Sequence, residues 1–390
     1  MEPLPLPGSE PGRMLPAQRI VDLRTPAALL EESLFRQNCA GMLEHVRKLG
    51  TRLRPHMKTL KSVEAARVAL DPRHGGIAVA TLNEARYFVD AGFTDVCYAV
   101  CPSPDKLDAL AALTAVAPEF SFFVDSVEFA QRLARHNRAF RVWIEIDSGE
   151  HRTGLEPADP KLIEVARLLG GCPRIDLVGV ATHAGHSYRC RSIDEIRGVA
   201  REEQLAACEA AARLRAAGFE VSHVSVGSSP TAVWADAAEG ITEFRAGVYM
   251  AGDLVQSALD TLPLESVAFS VLATVTSSQP KRAQVVVDAG GLALSKDRGT
   301  SATAHDYGFG LVLDIHGRAA FGQLLVSDVH QEHGEIKDVP PEVMSQLPLG
   351  TKVRILPNHV CMTAAMYDRI HVVNGPEGVV RAEWNRTNGW

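Results

Sequence analysis

One short stretch of the chain places a lysine where it could carry out chemistry. Residues 54–61 read Arg-Pro-His-Met-Lys-Thr-Leu-Lys and include the end of a short run that is typical of a β-strand. A lysine just beyond a strand end lies where barrel and open-sheet enzymes place their reactive groups. An amine at that place can form an imine with an aldehyde cofactor. We therefore predict that Lys58 carries an imine-linked cofactor, with a pair of solvated loop lysines as the alternative.

A second stretch could bind an anion. Residues 227–231 read Gly-Ser-Ser-Pro-Thr, and a helix is predicted to begin near Thr231. Glycine lets backbone amides approach a ligand, hydroxyls donate hydrogen bonds, and a helix N-terminus adds a favourable dipole. Gly247, in the loop after the next predicted strand, would supply another amide. Each motif by itself is also typical of an ordinary turn, but together they predict a phosphate site.

A third stretch could bind a metal. Residues 356–361 read Leu-Pro-Asn-His-Val-Cys. In extended backbone, residues two apart point to the same face, so His359 and Cys361 could present a nitrogen and a thiolate to one ion. This donor pair suits zinc best, and two protein ligands would leave positions open for water or substrate. The alternative is a strand fragment with a buried cysteine. Residues 330–335 also contain ligand-type side chains, but they lack the spacing of a helical zinc site and are interpreted as a polar turn.

The elements that must position these residues alternate between strands and helices. Eight short apolar runs predict a (β/α)8 barrel, whose strands are buried on both faces. A doubly wound open sheet is the alternative, but no Gly-x-Gly-x-x-Gly turn follows the first strand. In the barrel, the lysine loop and the polar loops after strands five to eight share one face. The predicted strands are 51–57, 77–81, 95–100, 120–124, 141–146, 175–182, 221–226 and 242–246.

Residues on either side of these strands predict further structure. Thr25 as an N-cap and Pro26 at the first helical position predict a helix that continues to Gly50. After residue 260 the pattern changes to apolar runs separated by turns, with Asn374-Gly375 as a turn signal. The runs are 267–275, 284–288, 311–315, 352–356 and 369–373. The predicted domains are a flexible proline-rich arm at 1–19, a cofactor-binding barrel at 20–260 and a mainly β, metal-binding domain at 261–390.

Composition argues against several classes of protein. The 390 residues have a formal net charge of -7 and no basic stripe, which excludes nucleic acid as a partner. No window reaches the roughly 18 apolar residues of a membrane span, and no signal peptide is apparent, so we expect a cytoplasmic protein. The seven cysteines are scattered, which predicts reduced thiols.

Four segments in order, 54–61, 225–231, 331–334 and 357–361, resemble the D-serine dehydratase and D-threonine aldolase family, which has alanine racemase-like architecture. The resemblance extends from about residue 20 to the C-terminus. It implies a pyridoxal phosphate enzyme with a divalent metal beside the cofactor. Zinc is the expected metal, with manganese or magnesium as alternatives.

The resemblance also implies roles for individual residues. Lys58 would form the imine, Arg152 would face the pyridine nitrogen, and His359 and Cys361 would bind the metal. The remaining cofactor-binding residues would be Tyr188, Ser228, Ser229, Thr231, Gly247 and Tyr249. Substrate would be lined by His56, His183 and His186.

The same resemblance implies a reaction. Lys58 would take the Cα proton of a 3-hydroxy-D-amino acid, with the pKa of its amine lowered by Arg152 and by burial, while the metal turns the β-hydroxyl into a leaving group. The favoured outcome is D-serine dehydratase-type elimination to a keto acid and ammonia, because the metal motif is His-x-Cys and not the His-x-Asp of the aldolase branch. Leu60 stands where family members often have histidine.

Three alternatives remain open from the sequence. They are retro-aldol cleavage to glycine and an aldehyde, an amino-acid racemase, and a non-catalytic pyridoxal phosphate carrier. The resemblance further implies a homodimer in which the barrel mouth lies near the β domain of the partner.

Overall fold

A computed structural model of the protein describes residues 18–375 and 378–390, which form two compact units. Residues 1–17 of the predicted arm lie outside the described residues. We call the two units the barrel unit and the β unit. The barrel unit consists of Arg36–Met250, Gln256–Pro263 and Thr387–Trp390. The β unit consists of the described part of Met1–Phe35, with Ala251–Val255 and Leu264–Arg386.

The barrel unit is built on eight parallel strands. Each pairs with its neighbour in chain order from the second to the eighth, and the eighth pairs with the first. The first and second strands meet at one bridge, between His56 and Ala78, which completes the circle. The predicted barrel and its eight strands are confirmed. The strand bounds are Arg52–Pro55, Ile77–Val79, Val96–Tyr98, Ser121–Val124, Phe140–Ile146, Ile175–Thr182, His223–Val226 and Glu243–Ala246.

Burial on both faces explains why these strands are apolar. Every residue of Ser121–Val124 and of Glu243–Ala246 is buried, because helices cover the outside of a barrel and side chains fill its interior. Several helices begin at a residue whose hydroxyl accepts a hydrogen bond from a backbone amide of the first turn, as Thr81, Ser126 and Ser192 do. The helices that alternate with the strands are Val63–Ala69, Leu82–Asp90, Leu107–Val116, Val127–Arg135, Lys161–Gly170, Ile193–Ala216 and Ser229–Trp234.

The β unit is organised around one long strand, Phe269–Gln279. This strand pairs with Ala27–Glu31, Gln284–Val287 and Lys352–Leu356. The predicted mainly β domain is confirmed. Its other strands are Gln18–Arg19, Leu311–Leu313, Asp328–Val329, Gly334–Ile336, Arg369–Asn374 and Val379–Asn385, and its short helices are Gly291–Leu294, Pro341–Met344 and Val360–Ala364.

The N-terminal segment differs from its predicted structure. Ala27–Glu31 is a strand of the β unit, and the helix begins only at Glu32 and ends at Lys48. The predicted helix start at Thr25 is therefore wrong. The Thr25 hydroxyl instead hydrogen-bonds to the hydroxyl of Thr274 and to a carboxylate oxygen of Asp288, at 2.6 and 2.5 Å. The strand Ala27–Glu31 is thus part of the β unit.

Two further observations concern the chain as a whole. Among the described residues, no helix is both long enough and apolar enough to span a membrane. All seven cysteines are free thiols, in line with the prediction from their scatter.

Candidate active site

The lysine loop follows the first barrel strand and is held by its backbone. The Met57 amide donates to the carbonyl of Ala78 at 2.8 Å, and the Lys61 amide donates to the carbonyl of Met57 at 2.7 Å. Met57 is buried, whereas Lys58 is exposed. The burial predicted for Lys58 is therefore wrong. The Lys58 side chain is thus open to solvent, and its charge acts on the rings of His56 and His183.

The second lysine of the loop has a different position. Lys61 lies with its Nζ atom 3.0 Å from Oε1 of Glu84, a carboxylate whose side chain is fully buried. A charge pair with one buried partner is a structural contact, since removing the lysine would leave the carboxylate uncompensated. Of the two lysines, Lys58 is the one that the structure leaves exposed for covalent chemistry.

Two histidines at the barrel mouth have lowered pKa values because of burial and nearby positive charges. His183 lies with Nδ1 3.0 Å from the carbonyl oxygen of Gly227, so Nδ1 carries the hydrogen and Nε2 is left as an acceptor. Burial lowers the pKa of His183 to about 3, with help from the positive charges of Lys58, Arg245 and Arg152. Positive charges from three different strand ends therefore act on this one ring.

His56 shows the same effect. Its pKa is held well below the usual value by burial and then by the charges of Lys58 and Arg245. Both rings are therefore neutral at physiological pH. A mouth with this positive potential fits an anionic cofactor such as pyridoxal phosphate.

The predicted phosphate loops are in contact with each other. Ser228 caps the helix Ser229–Trp234 and exchanges hydrogen bonds with Thr231 in a capping box. The Ser229 hydroxyl accepts a hydrogen bond from the Tyr249 amide at 3.1 Å, which joins the loops after the seventh and eighth strands. Only glycine fits at position 247, since a Cβ there would lie 2.6 Å from the carbonyl oxygen of His56. The structure thus brings both phosphate loops beside the lysine loop.

Other predicted site residues lie around the same mouth. Arg152 is exposed, with its guanidinium 3.7 Å from Glu150, and Tyr188 is half-buried in the short helix Gly185–Arg189. His186 borders an open cavity of about 470 Å³. The buried hydroxyl of Tyr249 has no hydrogen-bond partner within the described part of the chain, and burial raises its pKa well above the usual value. A bound polar ligand could satisfy that hydroxyl.

Glu203 is a buried residue of this region that the sequence did not reveal. Its Oε1 atom accepts hydrogen bonds from the amides of Ala184 and Gly227, both at 2.9 Å. Burial raises its pKa, against the lowering effect of these bonds. Glu203 therefore ties the loop after the sixth strand to the loop after the seventh. A single glutamate at a helical position carries no signal for such a role.

A second unpredicted group lies at the ends of strands three to five. Cys101, Asp125 and Glu145 place their ligand atoms within 4.8 Å of one another, and in the part of the chain that the structure describes no other three His, Cys, Asp or Glu residues do so. The Cys101 thiol donates to Oε2 of Glu145 at 3.0 Å. Burial raises the pKa of both groups, and for Cys101 the two carboxylates raise it further. Cys101 therefore stays a neutral thiol.

The predicted metal pair lies in the β unit. His359 has extended backbone and precedes the helix Val360–Ala364, which places Cys361 in the first helical turn. The prediction that both lie in extended backbone is therefore wrong. The two side chains nevertheless meet. Burial opposes a charge on His359, but hydrogen bonds with Asp297 and Cys361, and the charge of Asp253, raise its pKa to about 11.

This environment fits a metal cation. The carboxylates and the thiol stabilise a positive charge at the position of the imidazole, and a divalent ion would supply that charge directly. The nitrogen and sulfur donors of His359 and Cys361 are those that zinc prefers. The side chains of His359 and Asp297 are 38% and 30% exposed, so solvent can reach the predicted metal pair.

The polar hairpin at 330–333 is linked to the helix Val360–Ala364 through another short helix. It connects the paired strands Asp328–Val329 and Gly334–Ile336, which confirms its interpretation as a turn. Its carbonyls at His330 and Gln331 accept hydrogen bonds from the first turn of the helix Gly291–Leu294. That helix in turn accepts hydrogen bonds from the side chains of Thr363 and Tyr367, at 2.7 and 2.9 Å.

The fold and these loops define a class of protein. A closed parallel barrel with an exposed lysine after its first strand, accompanied by a mainly β unit, is the alanine racemase-like architecture. The family described as alanine racemase, N-terminal domain, matches residues 31–255. The putative serine dehydratase domain matches residues 268–373.

Individual relatives identify the family. The chain is 40% identical to D-threo-3-hydroxyaspartate dehydratase of Delftia sp. (strain HT23), over 95% of this chain and 99% of that protein. It is 30% identical to D-serine dehydratase of Dictyostelium discoideum, over 93% and 96% of the two chains. A solved cysteine-to-alanine variant of D-threo-3-hydroxyaspartate dehydratase in the metal-free form superposes with a TM-score of 0.91, at 38% identity, over 96% and 100% of the two chains. The chain belongs to this alanine racemase-like family, whose members include these dehydratases and also a D-threonine aldolase of Arthrobacter sp, and this confirms the resemblance seen in the sequence.

Proposed function

We propose that the protein is a pyridoxal phosphate- and metal-dependent lyase that removes the hydroxyl and amine of a 3-hydroxy-D-amino acid, giving a keto acid and ammonia. The observation that carries the proposal is the contact of His359 with Cys361 in a chain that matches a dehydratase along 95% of its length. Both named relatives are dehydratases. D-serine and threo-3-hydroxy-D-aspartate are the candidate substrates.

The barrel unit would hold the cofactor. Lys58 would bind it covalently, the loops 227–231 and 247–249 would hold its phosphate, and Tyr188 would line it. Bound pyridoxal phosphate supplies an electron sink for negative charge at the substrate Cα. Arg152 would face the pyridine nitrogen, and because a guanidinium does not give up its proton, that nitrogen would stay unprotonated.

Proton transfer in the proposal belongs to Lys58. Its amine follows the end of the first strand, where it would act as the base that takes the Cα proton of the bound substrate. The neutral ring of His183 offers Nε2 as an acceptor toward a substrate hydroxyl or amine, since Nδ1 is already engaged with Gly227. His56 and His186 complete the proposed substrate lining.

The β unit would provide leaving-group activation. His359 and Cys361 would hold a divalent ion, with zinc favoured by the donor set and manganese or magnesium as alternatives. Such an ion supplies Lewis acidity to a substrate β-hydroxyl. A homodimer and a cytoplasmic location also remain predictions.

Product analysis tests the proposal. The holoenzyme is incubated separately with D-serine, D-threonine and threo-3-hydroxy-D-aspartate, and keto acid, ammonia and glycine are measured. Keto acid and ammonia in equal amounts are expected, with activity lost on chelation and restored by added zinc. Glycine with an aldehyde would instead indicate the retro-aldol reaction.

The other two alternatives give different products. A racemase would form the L-isomer without releasing ammonia. A carrier would bind pyridoxal phosphate and turn over none of the three substrates. Either result would overturn the lyase proposal.

A further inference from the structure

We propose that Asp297 is the positioning carboxylate of the metal site, which fixes the ring of His359 so that one nitrogen faces the metal. The inference rests on the proposed function, because it concerns the metal that His359 and Cys361 would hold. It adds a residue that neither the metal motif nor its spacing in the sequence contains. Asp297 lies 62 positions before His359 in the chain.

The hydrogen bond between the two side chains determines which nitrogen is available. Oδ2 of Asp297 lies 2.8 Å from Nδ1 of His359. An ionised carboxylate only accepts hydrogen bonds, so Nδ1 carries the hydrogen and donates it. Nε2 is then the nitrogen left for a metal. Metal-ligating histidines commonly donate their other N–H to a carboxylate, which sets the tautomer and orients the ring.

Asp297 is placed to orient the ligand and not to share the ion. In the described part of the chain, the ligand atoms of Asp297, His359 and Cys361 do not form a group in which all three lie within 4.8 Å of one another. Asp297 meets His359 at Nδ1. We therefore assign it to the ring and not to the ion.

The carboxylate is itself held in place. Its second oxygen, Oδ1, accepts a hydrogen bond from the Gly299 amide at 2.8 Å, and its own amide donates to the Ser295 hydroxyl at 3.2 Å. A Cβ at position 299 would lie 2.6 Å from the side chain of Val255, so glycine is needed for this approach. Asp297 is thus oriented by its own loop before it meets His359.

The loop is also bound to the metal motif through Asn358, the neighbour of His359. The Thr300 hydroxyl donates to Oδ1 of Asn358 at 2.6 Å. The amide group of Asn358 donates to the carbonyl of Gly308, also at 2.6 Å. Both hydrogen bonds keep the loop in register with the motif, so the position of Asp297 relative to His359 is fixed from both sides.

An ordinary ion pair at the surface is the competing explanation. Such a contact contributes little to stability when its partners are partly exposed, and it has no effect on metal affinity. A positioning carboxylate has the opposite signature, because its removal weakens metal binding by about 10- to 100-fold while the fold is unchanged. Metal affinity therefore separates the two explanations.

The experiment measures zinc affinity of the purified cofactor-bound protein by competition with a chromogenic chelator. Asp297→Asn is expected to weaken zinc binding by about 10- to 100-fold, and Asp297→Glu to recover part of that loss. Asp306→Asn is the matched control, because Asp306 lies on the same loop but pairs with Arg298 at the surface. The control should bind zinc as the wild type does. Circular dichroism and thermal unfolding establish that each variant is folded.

The outcomes separate this inference from the proposed function. Zinc binding of wild-type strength in folded Asp297→Asn would overturn the positioning role and leave the lyase proposal intact. Failure of the wild type to bind any divalent metal would overturn both. A ¹⁵N NMR spectrum of the zinc-loaded wild type gives a test that no variant can confound. Zinc on Nε2 of His359 with hydrogen on Nδ1 is expected, and zinc on Nδ1 would contradict the inference.

Discussion

The segment 54–61 places a positively charged residue at each end of the barrel unit. One of them is buried in ion pairs, and the other is exposed. Arg54, at the N-terminal end, is only 4% exposed and pairs with Glu243 at 2.9 Å and with Asp95 at 2.6 Å. Arg52 adds a second cation to the same glutamate at 2.8 Å. Lys58, four residues after Arg54 and at the other end, is exposed.

The titratable groups respond in opposite ways. At the N-terminal end, burial opposes the charge of Glu243, but Arg54 and Arg52 outweigh it and lower its pKa to about 2. The charged forms there stabilise one another. At the mouth, burial and the cations beside His183 act in the same direction, so this ring stays neutral. One end of the barrel uses charge pairing for stability, and the other keeps a positive potential that a ligand can use.

Loss of Lys58 is expected to have the largest effect on activity and none on the fold. Lys58→Ala should lower turnover by roughly 10²- to 10⁴-fold from lost proton transfer alone, and further through loss of the covalent bond to the cofactor. The absorbance band of lysine-bound pyridoxal phosphate should disappear. Urea unfolding of the cofactor-free variant should match that of the cofactor-free wild type, because the side chain is exposed.

Lys48→Ala is the control, since Lys48 is an exposed helix residue paired with Glu44. It should keep both the band and the activity. A Lys58→Ala variant that retains the absorbance band would show that another lysine holds the cofactor.

Glu243→Gln is expected to have the largest effect on stability. It leaves the buried Arg54 with only Asp95 as a charged partner, and breaking a buried ion pair costs about 3–5 kcal/mol. The free energy of unfolding is measured by urea titration. The exposed pair of Glu44 and Lys48 offers the control Glu44→Gln, for which no change is expected. A Glu243→Gln variant as stable as the wild type would remove the contrast between the two ends.

Acidification should lower the free energy of unfolding through a different residue at each end of the barrel, and in a different pH window. The pKa of His183 falls from its ordinary 6.5 to about 3 in the folded protein, so below pH 6.5 only the unfolded chain gains the proton and stability decreases as pH falls. The pKa of Glu243 falls from 4.5 to about 2, so its contribution is complete above pH 4.5 and is lost as pH falls below that value. Each group adds a slope of up to about 1.4 kcal/mol per pH unit within its window.

Urea unfolding at a series of pH values measures these slopes. His183→Asn should flatten the stability curve between pH 6.5 and 4.5, and Glu243→Gln should flatten it only below pH 4.5. Identical curves for His183→Asn and the wild type above pH 4.5 would show that the mouth does not hold this histidine neutral.

Most of the barrel could be predicted because its strands are buried on both faces. A run such as Ile175–Thr182 is apolar except for Asp176 and Thr182, and its predicted and observed bounds agree. The short strand Ala27–Glu31 could not be predicted in the same way. Its partners lie on Phe269–Gln279 and Arg369–Asn374, both more than two hundred residues away. The Thr25-Pro26 pair before it is also a typical helix start, so only the long-range pairing distinguishes the two structures.

The sequence by itself determined the barrel, the mainly β unit and the three motifs that contain Lys58, Ser228 and His359, because these depend on local composition and spacing. The tertiary structure alone decided which charges are buried in pairs and which are exposed. It brought Asp297 to His359, Glu203 to the loops of Ala184 and Gly227, and Cys101 to Glu145. Such contacts join side chains from elements far apart in the chain. The local sequence around a single carboxylate or thiol does not predict which residue it will contact.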